Sequence, residues 1–205
     1  MTGFAARERS ALADLMLELG PDAPTLCEGW TTRDLAAHLV VRSNRIDAAP
    51  GILIPALAGY TAQVQRQVAE QDWAKLVAKV RRLPWWVLPA DEVINRAEYF
   101  IHHEDVRRAQ DGWQPRKLSA ESNAALWQRV KVQARLVLRR TPAAVTVTAP
   151  GCGSATAGRG GPPVDLVGPP SELLMFLSGR QQHAQVELAG SPAITQRMWR
   201  AHYGV

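Results

Sequence analysis

The sequence has few cysteines and no long apolar run. Its 205 residues include two cysteines, Cys27 and Cys152, which lie far apart and form no Cys-x-x-Cys pair, so a structural disulfide is not expected. No run of 18 apolar residues occurs, so no membrane span is expected. The charged segment 1–10 lacks the apolar core and cleavage site of a secretory signal, so we expect a cytoplasmic protein.

The basic charge of the chain has no nucleic-acid motif beside it. The formal net charge is +5, but the basic residues are scattered among acidic ones. Arginine neighbours form only short pairs, at 107–108 and 139–140, and no known nucleic-acid-binding motif is present. We therefore expect no nucleic-acid partner, whereas an anionic small molecule fits the charge.

Helical periodicity dominates the first two thirds of the chain and then stops. Apolar spacing and stop signals predict helices over about 4–19, 31–50, 55–82 with a break near 71–72, 91–110 and 119–140. Thereafter the pattern predicts a strand at 144–149, turns and short strands over 150–170, a helix at 171–179, a strand at 184–189 and a helix at 191–201. The prediction is mainly α: an up-and-down helical bundle over 1–141, followed by a small α/β domain over 142–205.

One predicted helix carries a possible metal-binding pair. Glu98 and His102 are four residues apart, so they lie one turn apart on one face, where a carboxylate and an imidazole can converge on one ion. Asp105, three residues further, is either another ligand or an acceptor that fixes a histidine tautomer. An ordinary surface pair of Glu98 and His102 is the alternative.

The third ligand predicted from the sequence is His38. It lies on the apolar face of the second predicted helix, between Leu35 and Leu39, where a neutral imidazole needs a partner. Two histidines and one carboxylate leave coordination positions open, as catalytic sites do. The alternative is a hydrogen-bonded core histidine. We interpret His103 as a bystander or as a residue that supports the ligands from behind, because it points about 100° away from His102.

One cysteine and two histidines are interpreted as residues without a chemical role. Cys27 precedes a predicted helix, a position that favours a reactive thiol, but we interpret it as an incidental small residue. His183 and His202 have no carboxylate at ligand spacing, and we interpret them as structural or surface residues.

Two motifs resemble a known family. The segment 26–39, Leu-Cys-Glu-Gly-Trp-Thr-Thr-Arg-Asp-Leu-Ala-Ala-His-Leu, resembles the opening signature of the mycothiol-dependent maleylpyruvate isomerase family, within the DinB-like four-helix metal-binding superfamily. Family members place a ligand histidine where this chain has His38, and a Glu-x-x-x-His motif that matches Glu98 and His102. The segments 170–180 and 186–190 resemble the small C-terminal α/β domain of some members.

The resemblance implies a DinB-like four-helix bundle and a zinc-dependent enzyme. Such an enzyme activates a low-molecular-weight thiol, such as mycothiol, for transfer to or isomerisation of an electrophilic substrate. Nickel or iron would accept the same ligands. Arg42 and Arg45 are candidate holders of a substrate carboxylate or, alternatively, solvated arginines.

The sequence also allows two other functions. They are a metal-dependent hydrolase, in which Asp105 would act as the base, and a non-catalytic metal- or ligand-binding protein. Trp85 and Trp86 either wall a substrate site or cover one end of the bundle. The expected partners are the small thiol and the substrate, and the chain is expected to be a monomer or a homodimer.

Overall fold

The computed structural model describes residues 3–45, 47–52, 54–86, 88 and 91–203. It divides into two compact units, Met1–Gln114 and Pro115–Val205. The domain boundary that the sequence predicts at residue 141 stays a prediction. The helix Ala120–Val137 packs against a helix and a strand of the second unit.

The first unit is entirely helical in its described part. Its helices are α1 (Phe4–Leu19), α2 (Thr32–Asn44), α3 (Ala58–Ala69), α4 (Trp73–Arg81), α5 (Asp91–Ile94) and α6 (Arg96–Arg108). Helix α1 packs against α6 and α4, and helix α2 packs against α3 and α4. Fully buried side chains of α1, α2 and α4, including Leu12, Leu35 and Leu76, form the core between them. Burial of such side chains is the main source of helix stability in a protein of this kind.

Local signals in the sequence explain where several of these helices begin. Asp34 accepts hydrogen bonds from the backbone N–H (2.9 Å) and the hydroxyl (2.8 Å) of Thr31, which fixes the start of α2. Asp72 accepts from the backbone N–H of Lys75 at 3.1 Å, so the predicted break between α3 and α4 is present.

Two predicted helices are shorter or interrupted. Helix α2 ends at Asn44 rather than near residue 50, and two short 3-10 turns follow, at Ala49–Ile52 and Pro55–Leu57. The backbone of Arg45 has non-helical dihedral angles (φ −118°, ψ 78°), and its side chain binds Asp47 at 2.7 Å. Asn and Asp favour such local alternatives to helix. The helix predicted over 91–110 is divided into α5 and α6 at Asn95.

The second unit combines helices with a small sheet. Its elements are α7 (Ala120–Val137), β1 (Ala144–Ala149), β2 (Gly153–Ala157), β3 (Pro163–Val167), α8 (Pro170–Leu177), β4 (Glu187–Gly190) and α9 (Pro192–Trp199). The sheet order is β2-β1-β3-β4, with β1 and β3 parallel and the outer pairs antiparallel. Val145 and Val147 alternate with exposed or half-buried residues along β1, as the predicted period of two requires.

Helix α8 is the buried element of the second unit. All its side chains are buried, including that of Glu172, whose Oε2 accepts a hydrogen bond from the backbone N–H of Gln185 at 2.9 Å. It packs against α7, whose start is fixed by the side chain of Ser119 accepting from the backbone N–H of Ser122. Among the described residues, no helix is both long and apolar enough to cross a membrane.

Candidate metal centre

His38 points inward from α2 in the first unit. Its flanking residues Leu35 and Leu39 are almost completely buried, and His38 itself is 8% exposed. The ring of Trp30 lies 5.1 Å from the His38 ring, centroid to centroid. Burial lowers the pKa of His38, and this effect outweighs the hydrogen bond with Glu98 that raises it. A neutral imidazole with an available lone pair is therefore the favoured form near neutral pH.

Glu98 and His102 face His38 from α6. One turn of helix brings His102 Nε2 within 3.3 Å of Glu98 Oε1. The same carboxylate oxygen lies 3.8 Å from His38 Nε2, and the two imidazole rings are 5.5 Å apart. The structure thus brings together the three side chains that the sequence singled out.

The spacing of these three groups suits a single ion. Ligand atoms of all three lie within 4.8 Å of one another. Two atoms that bind one zinc ion at about 2.0–2.1 Å in tetrahedral geometry are about 3.3–3.4 Å apart. The observed separations of 3.3 and 3.8 Å are close to that value, so small side-chain shifts would complete a three-ligand site.

The charges at the cluster are already arranged for a cation. Burial alone would raise the pKa of Glu98, but hydrogen bonds with His102 and His38 hold it well below its usual range. Burial would lower the pKa of His102, but hydrogen bonds to Asp105, Cys27 and Glu98 raise it well above its usual value. Without a metal, a cationic imidazole therefore lies between two carboxylates. A divalent cation would displace its proton.

Asp105 lies behind His102, on the opposite edge of the ring. Its Oδ2 is 2.9 Å from His102 Nδ1, and the side chain is completely buried. A carboxylate at Nδ1 keeps a proton on that nitrogen, so an ion that displaces the other proton would bind at Nε2, which faces Glu98 and His38. Of the two roles that the sequence left open, this geometry favours the acceptor that fixes the tautomer.

Cys27 also reaches this edge of His102, which the sequence interpretation missed. Its Sγ lies 3.3 Å from Asp105 Oδ2 and 3.9 Å from His102 Nδ1. The backbone N–H of Leu26 donates to the carbonyl of Asp105 at 3.0 Å and ties the loop to α6. The only signal in the sequence was the position of Cys27 just before a capped helix, which does not specify the path of a loop.

A turn at Gly29 shapes this loop. The backbone N–H of Trp30 donates to the carbonyl of Cys27 at 2.9 Å, and Gly29 has φ +73°. A side chain is disfavoured in that region, whereas glycine enters it freely. The turn lets Cys27 face α6 while Trp30 packs on His38 three residues later.

Arg42 belongs to the site through Glu98. Its Nε lies 3.2 Å from Glu98 Oε1, and its Nη1 donates to Asn95 Oδ1 at 2.5 Å. Asn95 in turn donates to Asp91 at 2.9 Å, and Asp91 binds Arg9 at 2.6 Å. This polar chain fixes the direction from which Arg42 approaches the cluster, and 22% of its side chain stays exposed.

Other candidate residues lie outside the cluster. Arg45 binds Asp47 through two nitrogens, at 2.9 and 2.7 Å, so it is engaged at the surface. His103 Nδ1 lies 2.9 Å from Glu8 Oε2, a buried pair separate from the three ligands and consistent with a bystander. His183 and His202 belong to the second unit.

Trp85 and Trp86 lie at the surface. Trp85 and Trp86 contact each other edge to face, with ring centroids 5.8 Å apart, and are 78% and 52% exposed. They bury little surface in this structure. Whether they wall a substrate site stays a prediction.

Comparison with known proteins identifies a related fold. No protein-family model matches the chain, and no curated protein matches it. Two solved structures are similar to it: the mycothiol-dependent maleylpyruvate isomerase, at 18% identity, and its histidine-to-alanine mutant, at 17%. Each similarity has a TM-score of 0.52 and covers 92% of this chain and 96% of the isomerase chain.

The fold is that of the mycothiol-dependent isomerase. The similarity covers nearly the whole of both chains, and the mainly helical architecture with a small four-stranded sheet in the C-terminal part of this chain is consistent with the isomerase fold. At this level of identity it shows the fold relationship, and activity requires evidence from the site. The resemblance predicted from the two sequence motifs is confirmed to that extent.

Proposed function

We propose that His38, Glu98 and His102 bind one divalent metal ion. The observation that carries the proposal is the convergence of two imidazoles and a carboxylate from two different helices, at separations of 3.3 and 3.8 Å. Zinc is the first choice for a nitrogen-rich set of this kind, and nickel or iron would accept the same ligands. Three protein ligands leave at least one position for a small molecule.

We further propose that the protein is an enzyme that uses a low-molecular-weight thiol of the mycothiol type. A bound divalent cation stabilises a thiolate over a thiol, which supplies a nucleophile at neutral pH. The support is the open three-ligand set together with the fold, because the structural neighbours are mycothiol-dependent isomerases. The reaction would be isomerisation of, or transfer to, a small electrophilic substrate.

The residues around the ligands have distinct parts in this proposal. Asp105 holds the Nδ1 proton of His102 and so directs the Nε2 lone pair towards the centre. Arg42 orients Glu98 and places a partly exposed cation beside the centre, which suits an anionic substrate. These roles depend on side chains of this chain and not on the substrate's identity.

The position of Asp105 argues against a hydrolase without a thiol. Such an enzyme would need a base near the metal-bound water. Asp105 lies on the Nδ1 edge of His102, whereas the proposed ion lies on the Nε2 edge, and its carboxylate already interacts with the imidazole and with Cys27. It is therefore badly placed for that task.

The proposal also includes the type of helical bundle, the cellular compartment and the partners. Helices α1, α2, α3 with α4, and α6 would form the DinB-like up-and-down four-helix bundle, which their mutual packing supports. Cys27 and Cys152 form no disulfide, which fits the cytoplasm, where thiols stay reduced. Small molecules, rather than nucleic acid or membrane, would be the partners of a monomer or homodimer.

Cobalt substitution tests the thiol proposal. The cobalt-loaded protein is titrated with a small-molecule thiol, and a new sulfur-to-cobalt charge-transfer absorption that depends on the added thiol is expected. His38→Ala should abolish this response, whereas Cys152→Ser should leave it intact. A cobalt spectrum that stays unchanged at saturating thiol would leave a non-catalytic metal-binding role as the better explanation.

A further inference from the structure

The imidazole of His102 has potential metal ligands on both of its edges. Glu98 and His38 lie towards Nε2, as described above. On the other edge, Nδ1 lies 2.9 Å from Asp105 Oδ2 and 3.9 Å from Cys27 Sγ, and those two atoms are 3.3 Å apart. Cys27, His102 and Asp105 therefore form a second group with ligand atoms that lie within 4.8 Å of one another.

The spacing of this second group also suits one ion. A sulfur bound at about 2.3 Å and a nitrogen or oxygen bound at about 2.0–2.1 Å lie about 3.5–3.6 Å apart in tetrahedral geometry. The sulfur here is 3.9 Å from the nitrogen and 3.3 Å from the oxygen, values on either side of that separation. Cys27 is not in a disulfide and is only partly buried, so an ion from solvent can approach it.

We propose that Cys27, His102 and Asp105 form a second metal site that binds thiophilic divalent ions such as Cd²⁺. A thiolate is the ligand that soft ions prefer, whereas the first site offers only nitrogen and oxygen. The second site shares His102 with the proposed zinc site but uses neither His38 nor Glu98. It can therefore be tested in a protein that lacks the first site.

The protons of His102 make the two sites mutually exclusive. An ion at Nδ1 forms bonds to that nitrogen, to Sγ and to Oδ2, and it releases the thiol proton and the Nδ1 proton to solvent. Nε2 then keeps its proton, which it donates to Glu98 Oε1 at 3.3 Å. An ion at Nε2 leaves the other proton on Nδ1, facing Asp105. Occupation of both sites would require a ring without any proton, so one ion is expected in total.

The test uses Cd²⁺ alone in a protein that lacks the first site. Metal-free His38→Ala is titrated with Cd²⁺, and the cadmium–thiolate absorption in the near ultraviolet is expected to saturate at one equivalent. Adding Cys27→Ser to this variant should abolish the absorption, and adding Cys152→Ser, the matched control, should leave it. An absorption that is missing, survives Cys27→Ser or disappears with Cys152→Ser would overturn the proposal.

A second measurement keeps Cys27 and covers the case in which Cys27→Ser fails to fold. Metal-free His38→Ala is alkylated with iodoacetamide with and without Cd²⁺, and the two cysteines are followed by peptide mapping. Cadmium should slow alkylation of Cys27 at least tenfold and leave Cys152 unchanged. Equal rates for Cys27 in both conditions would refute the site, whereas failure of the parent to bind zinc would affect only the proposed enzyme.

Discussion

Replacement of Asp105 by asparagine should weaken metal binding without removing a ligand. The carboxylate is completely buried and accepts from His102 Nδ1 at 2.9 Å. An asparagine in the same place either makes a neutral, weaker hydrogen bond through its oxygen or presents its NH₂ group. In the second case the His102 proton moves to Nε2, where it competes directly with the ion.

The size of the effect follows from the position of Asp105 behind a ligand. Loss of such a partner lowers metal affinity by about 10–100-fold. That range corresponds to about 1.4–2.7 kcal/mol of binding free energy. We expect Asp105→Asn to fall within it when the zinc dissociation constant is measured by competition with a chromophoric chelator.

A second carboxylate–histidine pair supplies the control. Glu8 Oε2 lies 2.9 Å from His103 Nδ1, and both residues are buried, so Glu8→Gln is the same chemical change at the same distance. It should leave the zinc dissociation constant within about twofold of the parent value, because His103 is not a proposed ligand. The reasoning is refuted if Asp105→Asn binds zinc as tightly as the parent, or if Glu8→Gln loses as much affinity.

Three further predictions concern stability. In the metal-free protein the raised pKa of His102 contributes stability that is fully present below about pH 6.5 and is lost as the pH rises through the raised folded value. The difference in unfolding free energy between the parent and His102→Gln, measured in urea, should therefore shrink with rising pH. A difference that stays constant with pH would contradict this prediction. Glu104→Ala removes a buried carboxylate that binds Arg108 at 2.6 Å and should lower the unfolding free energy by about 3–5 kcal/mol. A loss below about 1 kcal/mol in urea unfolding would show that the pair contributes little to stability. Leu166 in β3 is completely buried, so Leu166→Ala should lower the unfolding free energy by about 2–5 kcal/mol and leave the metal stoichiometry unchanged. Leu136 is 51% exposed, so the control Leu136→Ala should change stability by less than about 0.5 kcal/mol in the same urea titrations.

Helical periodicity explains why part of the site was predictable from the sequence. Glu98 and His102 are four residues apart, so their proximity depends only on the helix itself. The start of α2 at Thr31 was equally local, because a capping box is a short-range pattern. His38 required the assumption that an apolar helix face turns inward, and the structure places it there. The role of the three residues as metal ligands stays a prediction.

The parts that were missed depend on contacts between distant segments. Cys27 approaches Asp105 because the loop before α2 is tied to α6 through Leu26, and neither segment specifies that contact alone. Helix α7 packs against α8, a contact that its own sequence does not specify, and the domain boundary predicted at residue 141 stays a prediction.

The most direct test of the central claim is the metal content of protein purified without chelator or a histidine tag. Elemental analysis should find about one equivalent of zinc or another transition metal in the parent, and much less in His38→Ala, Glu98→Gln and His102→Ala. His103→Ala should keep the parental content. A parent protein that carries no metal and binds none when zinc is offered would contradict the account.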